Sequence, residues 1–373
     1  MTMRTRLLHI FIWITACSSP GPAIAREQWS KEQAGAWYAA KPWLVGCNFI
    51  PSTAINQLEM WQAETFDLAT IDHELGWAEV LGFNSLRVFH HHMQWDQDRE
   101  GLLRRMEQFL VVADRHKIGV MFVPLDAVWD PFPKLGPQRT PRPGLHNSGW
   151  VQSPGVDLLK DLARHSELEG YIQGVIGHFR GDARIHAWDL FNEPENRNGS
   201  SYGKDEPANK SELSLALLKR LYKWARAVDP SQPITSGVWT GEWTEQKLTP
   251  INRFQLEESD VITFHDYSPL PVLKSRVETL KRFGRPILCT EYMARPTGSN
   301  FDPNLGYLRE QKVGAYNWGF VAGKSQTIYP WDSWQKPYAA EPKIWFHDIF
   351  RADGTPFDAK EVEYLRRMTG KGQ

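Results

Sequence analysis

Short apolar runs alternate along this chain with longer segments of helical period. The runs are apolar on both faces, which is typical of strands in a parallel sheet covered on each side. Eight strand–helix units predict an α/β fold, a single (β/α)8 TIM barrel with long connections after its strands. The candidate strands are residues 43–49, 85–89, 119–125, 185–191, 233–238, 261–264, 286–290 and 314–320. The amphipathic segments between them include residues 68–81, 101–116, 158–179, 212–228 and 272–283.

Two connections that follow predicted strands are long and irregular. Residues 126–154 contain six prolines and no helical period, and residues 196–211 are polar and rich in glycine and serine. Barrel enzymes build their sites at the carboxyl ends of the strands, and long ordered loops in compact domains are usually functional. We therefore expect both connections to border a site, with a mobile surface insertion as the alternative for each.

The first 25 residues have the pattern of an export signal, with basic residues, an apolar run and the small-residue pattern Ala23-Ile24-Ala25. A second interpretation fits the same stretch, because residues 14–17 resemble a bacterial lipobox, after which Cys17 would be lipidated and tether the protein to a membrane. Both interpretations predict export, to the periplasm or cell surface as a lipoprotein or as a secreted protein. Residues 26–373 are then one barrel domain.

Composition narrows the possible partners. Lys and Arg number 43 against 44 Asp and Glu, so the formal net charge is -1 and a basic face for nucleic acid is not expected. No window is apolar enough to cross a membrane permanently. Cys47 and Cys289 fall on predicted strands one and seven, which are not neighbours, so we expect two buried free thiols. The 17 tryptophans exceed ordinary core needs and suit a sugar-binding cleft.

Two glutamates stand where predicted barrel strands end. Glu193 follows strand four and Glu291 follows strand seven, so both carboxylates are expected at the mouth of one barrel. A carboxylate at the end of an apolar strand is costly unless it has a partner or a role in chemistry. A pair of carboxylates is the arrangement that cleavage of a glycosidic bond needs.

The tripeptide Asn192-Glu193-Pro194 after strand four, with the lone Glu291 after strand seven, resembles the clan A glycoside hydrolases, and family 5 most closely. The resemblance extends from Trp43 to residues 345–348 and the turn at residues 353–356. It implies a retaining glycoside hydrolase that cleaves β-glucan, mannan or xylan by double displacement, with Glu193 as acid/base and Glu291 as nucleophile. It requires no metal or organic cofactor; the partner is a carbohydrate substrate, and we expect a monomer.

Other positions match the family pattern in the same order. The resemblance places Arg87 beside the nucleophile, where its charge would keep Glu291 ionised. Tyr267 would contact the nucleophile, and His265 would line the acid/base side. In addition, Asn192 would hydrogen-bond the sugar 2-hydroxyl, and Trp318 would form the floor of the subsite for the cleaved sugar.

The proton of Glu193 is needed at the start of such a reaction. We expect the charge of Glu291 to raise the pKa of Glu193, and the pKa to fall once the glycosyl-enzyme forms. The separation of the two carboxyl groups should be about 5 to 5.5 Å.

One departure from the family pattern concerns histidine. Many members carry a histidine after strand three, where this chain has Asp126 and Trp129, and the sequence His90-His91-His92 follows strand two instead. Three consecutive residues cannot all face one ion, so we expect His90 to face the sugar rather than a metal. Asp126, Trp129 and Trp239 are further substrate-binding candidates.

The remaining tryptophans divide by position. Those in segments that follow strands are candidates for stacking on sugar rings, namely Trp95, Trp129, Trp150, Trp239, Trp243, Trp331 and Trp334. Those in helical or strand patterns are expected in the core, namely Trp61, Trp77, Trp188, Trp224 and Trp345.

Other functions share parts of this pattern. A transglycosylase would use the same residues, and an inactive barrel that only binds polysaccharide is the alternative from another class. A Gly-x-Ser-x-Gly elbow and a His-Glu-x-x-His motif are missing from the sequence, which disfavours serine and zinc hydrolases. Whether a glycosidase cuts internally or from chain ends would depend on how residues 126–154 shape the cleft.

Overall fold

The computed structural model describes residues 25–372. The predicted export signal, including Cys17, lies outside this range apart from Ala25, so it stays a prediction. Among the described helices, none combines the length and apolar character needed to cross a membrane.

Eight parallel strands form one nearly closed barrel, which confirms the predicted (β/α)8 fold. The strands are β1 (Val45–Asn48), β2 (Ser85–Phe89), β3 (Gly119–Val123), β4 (Ile185–Asp189), β5 (Ile234–Thr235), β6 (Ile262–His265), β7 (Ile287–Tyr292) and β8 (Gly314–Asn317). Neighbours pair in the order β5-β4-β3-β2-β1-β8-β7-β6, and a bridge between Val238 and Phe264 joins the two ends of this order.

The strands are shorter than the apolar runs predicted. β8 ends at Asn317 rather than at residue 320, because the chain turns through Gly319 with φ +79°. Beyond β3 and β4, Leu125–Asp126 pairs in parallel with Phe191–Asn192 as a separate two-residue ladder. This short ladder extends two strands toward the barrel mouth and carries Asp126 and Asn192 there.

Helices surround the barrel. They are α1 (Lys31–Ala39), α2 (Gln57–Trp61), α3 (Leu68–Leu81), α4 (His92–Arg115), α5 (Val156–Lys160), α6 (Glu169–His178), α7 (Lys210–Ala227), α8 (Pro250–Glu258), α9 (Leu270–Lys281), α10 (Phe301–Glu310) and α11 (Ala359–Thr369). Helix α1 packs through Ala34 against barrel-interior residues that include Met121 and Leu288. Short 3₁₀ helices span Arg164–Leu168, Arg295–Thr297 and Trp331–Trp334.

Helix boundaries follow from local capping. The Asp67 side chain accepts a hydrogen bond from the Thr70 amide and begins α3, and Gly82 ends it in the left-handed conformation. The predicted helix over residues 101–116 begins earlier, at His92, with a kink at Asp98. The predicted helix over residues 158–179 is divided into α5, a 3₁₀ turn and α6.

The segments that follow three strands form most of the barrel mouth. We call them loop 3 (residues 124–155, after β3), loop 4 (residues 190–209, after β4) and loop 8 (residues 318–358, after β8). Both long connections predicted from sequence therefore lie at the carboxyl ends of strands.

Several residues singled out from the sequence lie in the hydrophobic core. Cys47 and Cys289 are buried and not bonded to each other, which confirms the two free thiols. Trp95 and Trp243, predicted to stack on sugar, are instead buried in the core at 6% and 0% exposure. Trp95 lies in α4 and contacts Tyr171, and Trp243 folds back onto Phe264. The position of a tryptophan after a strand in the sequence is therefore not sufficient to place its side chain at the barrel mouth.

The close approach of β1 and β2 generates a test of packing. A Cβ on Gly46 would lie 1.6 Å from the Ser85 carbonyl oxygen of the neighbouring strand. Gly46→Ala should therefore lower the free energy of unfolding by about 1 to 3 kcal/mol or more, as overpacked cores do. Gly35→Ala is the control, since a Cβ there in α1 meets nothing within 4 Å and should stabilise by about 0.5 to 1 kcal/mol. Urea unfolding measures both, and equal stability of the two variants would contradict the argument.

Candidate active site

A cleft of about 300 Å³ opens at the carboxyl ends of the strands, between the two predicted carboxylates. Most of its wall comes from loops 3, 4 and 8, with polar groups at the bottom and indole rings on the sides. The lining residues are Asp126, Val128, Trp129, His146, Asn147, Trp150, Asn192, Glu193, Asn196, Asn198, Gly199, Ser200, Trp239, Tyr267, Glu291, Trp318, Trp331 and His347.

Arg87 lies directly beneath the cleft, inside the barrel, and is fully buried. Its Nη1 donates hydrogen bonds of 2.9 Å to both Asn48 Oδ1 and Glu291 Oε1. Its Nη2 donates to Asn192 Oδ1 at 2.7 Å, and its Nε donates to Asp189 Oδ2 at 2.9 Å. A buried guanidinium needs such partners to offset its lost hydration. It therefore fixes the positions of Glu291 and Asn192 together.

Both carboxylate oxygens of Glu291 accept hydrogen bonds. Arg87 binds Oε1, and the Tyr267 hydroxyl donates a 2.7 Å hydrogen bond to Oε2. Burial raises the pKa of Glu291, while His265, Arg87 and Tyr267 oppose that rise by stabilising the anion. The donors therefore favour an ionised, oriented carboxylate at this position.

Glu193 stands across the cleft from Glu291 in a left-handed backbone conformation, with φ +42°. His265 Nδ1 lies 2.8 Å from its Oε1, and Asn196 Nδ2 donates to its Oε2 at 2.6 Å. Burial raises the pKa of Glu193 to about 7, against the lowering effects of Asn196, Arg87 and Lys210. The expected cause was the charge of Glu291; desolvation has the dominant effect instead.

His265 lies between the two carboxylates. Its Nδ1 is 2.8 Å from Glu193 Oε1 and 3.4 Å from Glu291 Oε2. Burial lowers the pKa of His265 to about 4, so the imidazole is neutral near pH 7. One ligand-type atom from each of the three residues lies within 4.8 Å of the others. The Arg87 cation bound to Glu291 opposes the binding of a metal ion there.

Asp126 and Asn192 form one connected polar floor. Asn192 Nδ2 donates to Asp126 Oδ1 at 2.9 Å, and Trp150 Nε1 donates to Asp126 Oδ2 at 2.5 Å. Gln57 Nε2 adds a third side-chain bond to Asp126, at 3.2 Å. Burial raises the pKa of Asp126 to about 7. Asn192 accepts from Arg87 and donates to Asp126, so its amide orientation is fixed.

Aromatic rings form the sides of the cleft. Trp129 and Trp239 line it as predicted from sequence, and Trp318 stands beside Trp150 with ring centroids 5.7 Å apart. Trp331, also among the stacking candidates, contacts Tyr267 edge to face. Trp334 does not line the cleft but stacks on Trp129 at 5.7 Å with an interplanar angle of 20°. Flat faces of this kind suit sugar rings.

The prediction that His90 faces the sugar is wrong in its placement. The ring is fully buried between Trp61 and Phe122, outside the cleft lining, and burial lowers its pKa to about 3. Side chains alternate along a strand, so His90 points away from the barrel interior that Arg87 occupies. The neighbouring histidines are also engaged elsewhere, since His91 bonds the Gln152 carbonyl oxygen and His92 bonds Ser153.

Several lining residues had no specific signal in the sequence. All except His347 lie on the two long loops that were expected to border a site, where nothing local distinguished them from other loop residues, and His347 lies on loop 8, which was not among those predicted. Only the three-dimensional paths of the loops place them in the cleft. They are Val128, His146, Asn147, Asn196, Asn198, Gly199, Ser200 and His347.

A buried ion pair joins loop 3 to loop 4 beneath the cleft. Lys210 and Glu206 have fully buried side chains 2.9 Å apart. Glu206 Oε1 also accepts 2.6 Å hydrogen bonds from Gln152 Nε2 of loop 3 and Asn198 Nδ2 of loop 4. Lys210 Nζ further donates to the Ala127 carbonyl oxygen at 3.1 Å. This cluster fixes the two loops relative to each other.

No protein-family model and no curated protein matches the sequence. Solved structures with this fold include a GH5_18 enzyme from Streptomyces cattleya in complex with GlcNAc, at 14% identity and TM-score 0.56, covering 87% of this chain and 80% of that one. An endo-β-1,4-mannanase from Thermotoga petrophila has 15% identity and TM-score 0.57, with 89% and 77% covered. The exo-β-1,4-mannosidase Op5Man5 from Opitutaceae bacterium strain TAV5 has 18% identity and TM-score 0.58, with 88% and 60% covered.

At these identities the similarity is one of fold. The chain is a (β/α)8 barrel of the kind found in family 5 glycoside hydrolases, with two buried carboxylates at its mouth. The (β/α)8 barrel therefore agrees with the resemblance to family 5 that Asn192-Glu193-Pro194 and Glu291 indicate.

The buried Lys210–Glu206 pair generates a test of loop anchoring. Lys210→Met should lower the free energy of unfolding by about 3 to 5 kcal/mol, because it leaves the Glu206 carboxylate buried without its cation. Adding Glu206→Gln should restore part of this loss. Lys247→Met is the control, because the Lys247–Glu242 pair is exposed and should contribute about 1 kcal/mol or less. Similar unfolding midpoints for Lys210→Met and Lys247→Met would argue against the anchoring role.

Proposed function

We propose that this protein is a retaining β-glycosidase, an O-glycosyl hydrolase that acts on a β-linked poly- or oligosaccharide. The observation that carries the proposal is the pair of Glu193 and Glu291 at the bottom of an aromatic cleft, with different hydrogen-bonding partners. Glu291 is bound by a guanidinium and a phenol, and Glu193 has its pKa raised to about 7. Environments that separate two carboxyl groups in this way assign an anion and an acid.

The distance between the carboxylates supports retention of configuration. One carboxylate oxygen of Glu193 lies within 4.8 Å of one carboxylate oxygen of Glu291. Retaining enzymes hold their carboxyl groups about 5 to 5.5 Å apart, whereas inverting enzymes leave about 6.5 to 9.5 Å for a water molecule. The shorter spacing favours direct attack by one carboxylate.

In the first step Glu291 attacks the anomeric carbon and forms a carbon–oxygen bond. The glycosidic bond breaks as Glu193 transfers its proton to the leaving oxygen. In the second step Glu193, now ionised, removes a proton from water, and the resulting hydroxyl displaces Glu291 from the anomeric carbon. The sugar leaves with its original configuration, and both carboxyl groups regain their initial states.

The side chains around the pair have defined parts in this scheme. Tyr267 and Arg87 stabilise the Glu291 anion before attack and after its release. Asn192, oriented by Arg87 and Asp126, offers its amide to the sugar 2-hydroxyl, where a hydrogen bond strengthens in the transition state. Neutral His265 can donate Nδ1–H to the ionised form of Glu193 in the second step.

For substrate we propose a β-1,4-mannoside first, with β-glucan and xylan as the alternatives. Support comes from structures of the same fold, which include an endo-β-1,4-mannanase and an exo-β-1,4-mannosidase. We also propose export, either as a lipoprotein tethered through Cys17 or after signal cleavage, because such polymers lie outside the cytoplasm. A monomer satisfies the proposed mechanism, since the whole site comes from one chain.

The nucleophile can be tested by chemical rescue. Glu291→Ala should lose turnover of an aryl β-mannoside, and added azide should restore it by attacking the vacated face and giving a glycosyl azide of inverted configuration. NMR of the product reads the configuration. Glu363→Ala, an exposed glutamate on α11, is the control and should keep full activity. Full activity of Glu291→Ala, or an azide product of retained configuration, would exclude the nucleophilic role.

The acid can be tested by pH dependence. The kcat/KM of the wild type should fall as pH rises through about 7, because Glu193 must carry a proton, and fall again at low pH as Glu291 becomes protonated. Glu193→Gln should cost about 10² to 10⁴ in rate with a poor leaving group. With a dinitrophenyl glycoside, which needs no acid, Glu193→Ala should lose the alkaline decline. An unchanged alkaline decline in that variant would assign the acid to another group.

A further inference from the structure

We propose that the cleft is closed on one side, so that the enzyme removes single sugars from the non-reducing ends of β-linked chains rather than cutting them internally. This inference rests on the proposed glycosidase function. It follows from contacts between loop 3 and loop 8 that form a barrier, which we call the closing wall and define as residues 144–147 with residues 325–338.

Strand order explains where the closing wall lies. β1 and β2 stand between β8 and β3 in the barrel, so the shortest path between loops 3 and 8 passes over the ends of β1 and β2. Loop 1 (residues 49–56, after β1) packs against this crossing, because the Lys324 amide of loop 8 donates to the Ser52 carbonyl oxygen at 3.0 Å. Among residues 25–372, those that line the cleft include none from loop 1 or from the turn at residues 90–91 after β2.

Five hydrogen bonds hold the two halves of the closing wall together. His146 donates its amide to Ser333 Oγ at 2.9 Å, and its Nδ1 lies 2.7 Å from the Tyr329 carbonyl oxygen. The other three are made by the backbone of residues 144 and 147, from the Asn147 amide to Ser325 O at 2.9 Å, from the Gly144 amide to Gln326 Oε1 at 3.2 Å, and from the Tyr338 amide to Gly144 O at 2.9 Å.

The two segments of the closing wall are in direct backbone contact at Gly144 and Tyr338. Gly144 has φ +72°, and a Cβ there would lie 1.8 Å from the Tyr338 carbonyl oxygen. His146, Asn147 and Ser333 are each 1% exposed or less. A contact this close, with buried hydrogen bonds, leaves no gap for a sugar chain.

Side chains nearly fill the space beneath the closing wall and leave a cavity of about 20 Å³, close to the size of one water molecule, which Phe49, Trp150 and Trp318 line. Trp150 contacts Phe89 and Trp318 with ring centroids 5.3 and 5.7 Å apart. Loop 1 joins the same block, because Asn56 Nδ2 donates to the Gly149 carbonyl oxygen at 2.8 Å. Between the strand ends and the crossing loops, this water-sized cavity is too small to admit a sugar ring.

The closing wall lies on the side of the cleft that holds the glycone, the part of the substrate on the non-reducing side of the cleaved bond. It adjoins Trp318 and Trp150, and Trp318 is the proposed floor for the cleaved sugar. The leaving group must lie beside the acid Glu193, which loop 4 flanks. Gly199 and Ser200 of that loop are exposed, and the closing wall reaches them only through a surface hydrogen bond of 3.1 Å from Gln335 Nε2 to the Ser200 carbonyl oxygen. The aglycone thus leads outward, while the glycone meets the wall after its first ring.

A pair of oligosaccharides tests whether the cleft is closed on the glycone side. One is a β-1,4-mannohexaose, and the other is the same hexaose with an O-methyl group on the 4-hydroxyl of its non-reducing sugar; a matching glucohexaose pair covers the alternative substrate. We expect wild-type enzyme to release only monosaccharide from the free hexaose and to leave the blocked one uncut. Mass spectrometry of early products distinguishes a ladder shortened by one sugar from internal fragments.

Two glycine variants link the product pattern to the closing wall. Gly144→Ala should force the crossing segments apart and release internal fragments from the blocked hexaose, at about tenfold or more above the background of the wild-type reaction. Gly136→Ala is the matched control, because Gly136 lies in the same loop with φ +87° and a Cβ there meets nothing within 4 Å. It carries the same backbone strain without the collision and should keep the wild-type pattern.

Each outcome bears on a separate claim. Internal fragments from the blocked hexaose with wild-type enzyme would overturn the closed cleft while leaving the glycosidase proposal intact. A Gly144→Ala variant that behaves like Gly136→Ala would also count against the wall. Failure to cleave any hexaose or any aryl β-glycoside would overturn the proposed function, and the closed cleft as a determinant of products with it.

Discussion

The buried guanidinium of Arg87 is the interaction on which the site depends. It lies without solvent contact inside the barrel, and its lost hydration must be replaced by polar groups from neighbouring strands. Those groups are Asn48 on β1, Asp189 on β4, Asn192 just beyond β4, and Glu291 on β7. One cation thus sets the relative positions of four segments of the barrel. The proposed nucleophile and the proposed 2-hydroxyl ligand are placed by the same group, which joins catalysis to the stability of the barrel.

Different hydrogen-bond donors give two equally buried carboxyl groups different properties. Both Glu193 and Glu291 are desolvated, which raises the pKa of each. Glu291 receives charged and phenolic donors, whereas Glu193 faces the neutral imidazole of His265 and the amide of Asn196. The strong donors go to the group that must be an anion, and the group that must hold a proton has weaker partners. Strands place Arg87 and His265, whereas Tyr267 lies just beyond β6 and Asn196 lies on loop 4.

Sequence patterns predicted the parts of the molecule that strands determine. Apolar runs located all eight strands, and motifs at their carboxyl ends located Glu193 and Glu291. His90 was misplaced because its position after a strand was considered without the alternation of side chains that turns it outward. Trp243 was misplaced because a local turn folds its ring back into the core. The contacts of the closing wall could not be predicted, because Gly144 and Tyr338 are remote in sequence and meet only through the paths of two irregular loops.

The closing wall and the aromatic lining form a single packed unit. His146, whose backbone and ring are bonded to loop 8, also contacts Trp129 edge to face at 5.8 Å and lies 5.5 Å from His347. Trp129 in turn stacks on Trp334 of loop 8. A change that shifts the wall must therefore shift the rings that hold the substrate. The carboxylates are held from below by Arg87 and the strands, so the chemistry and the length of chain that can enter are controlled by separate layers of the same barrel. This separation lets loop contacts alter product pattern while bond cleavage stays the same.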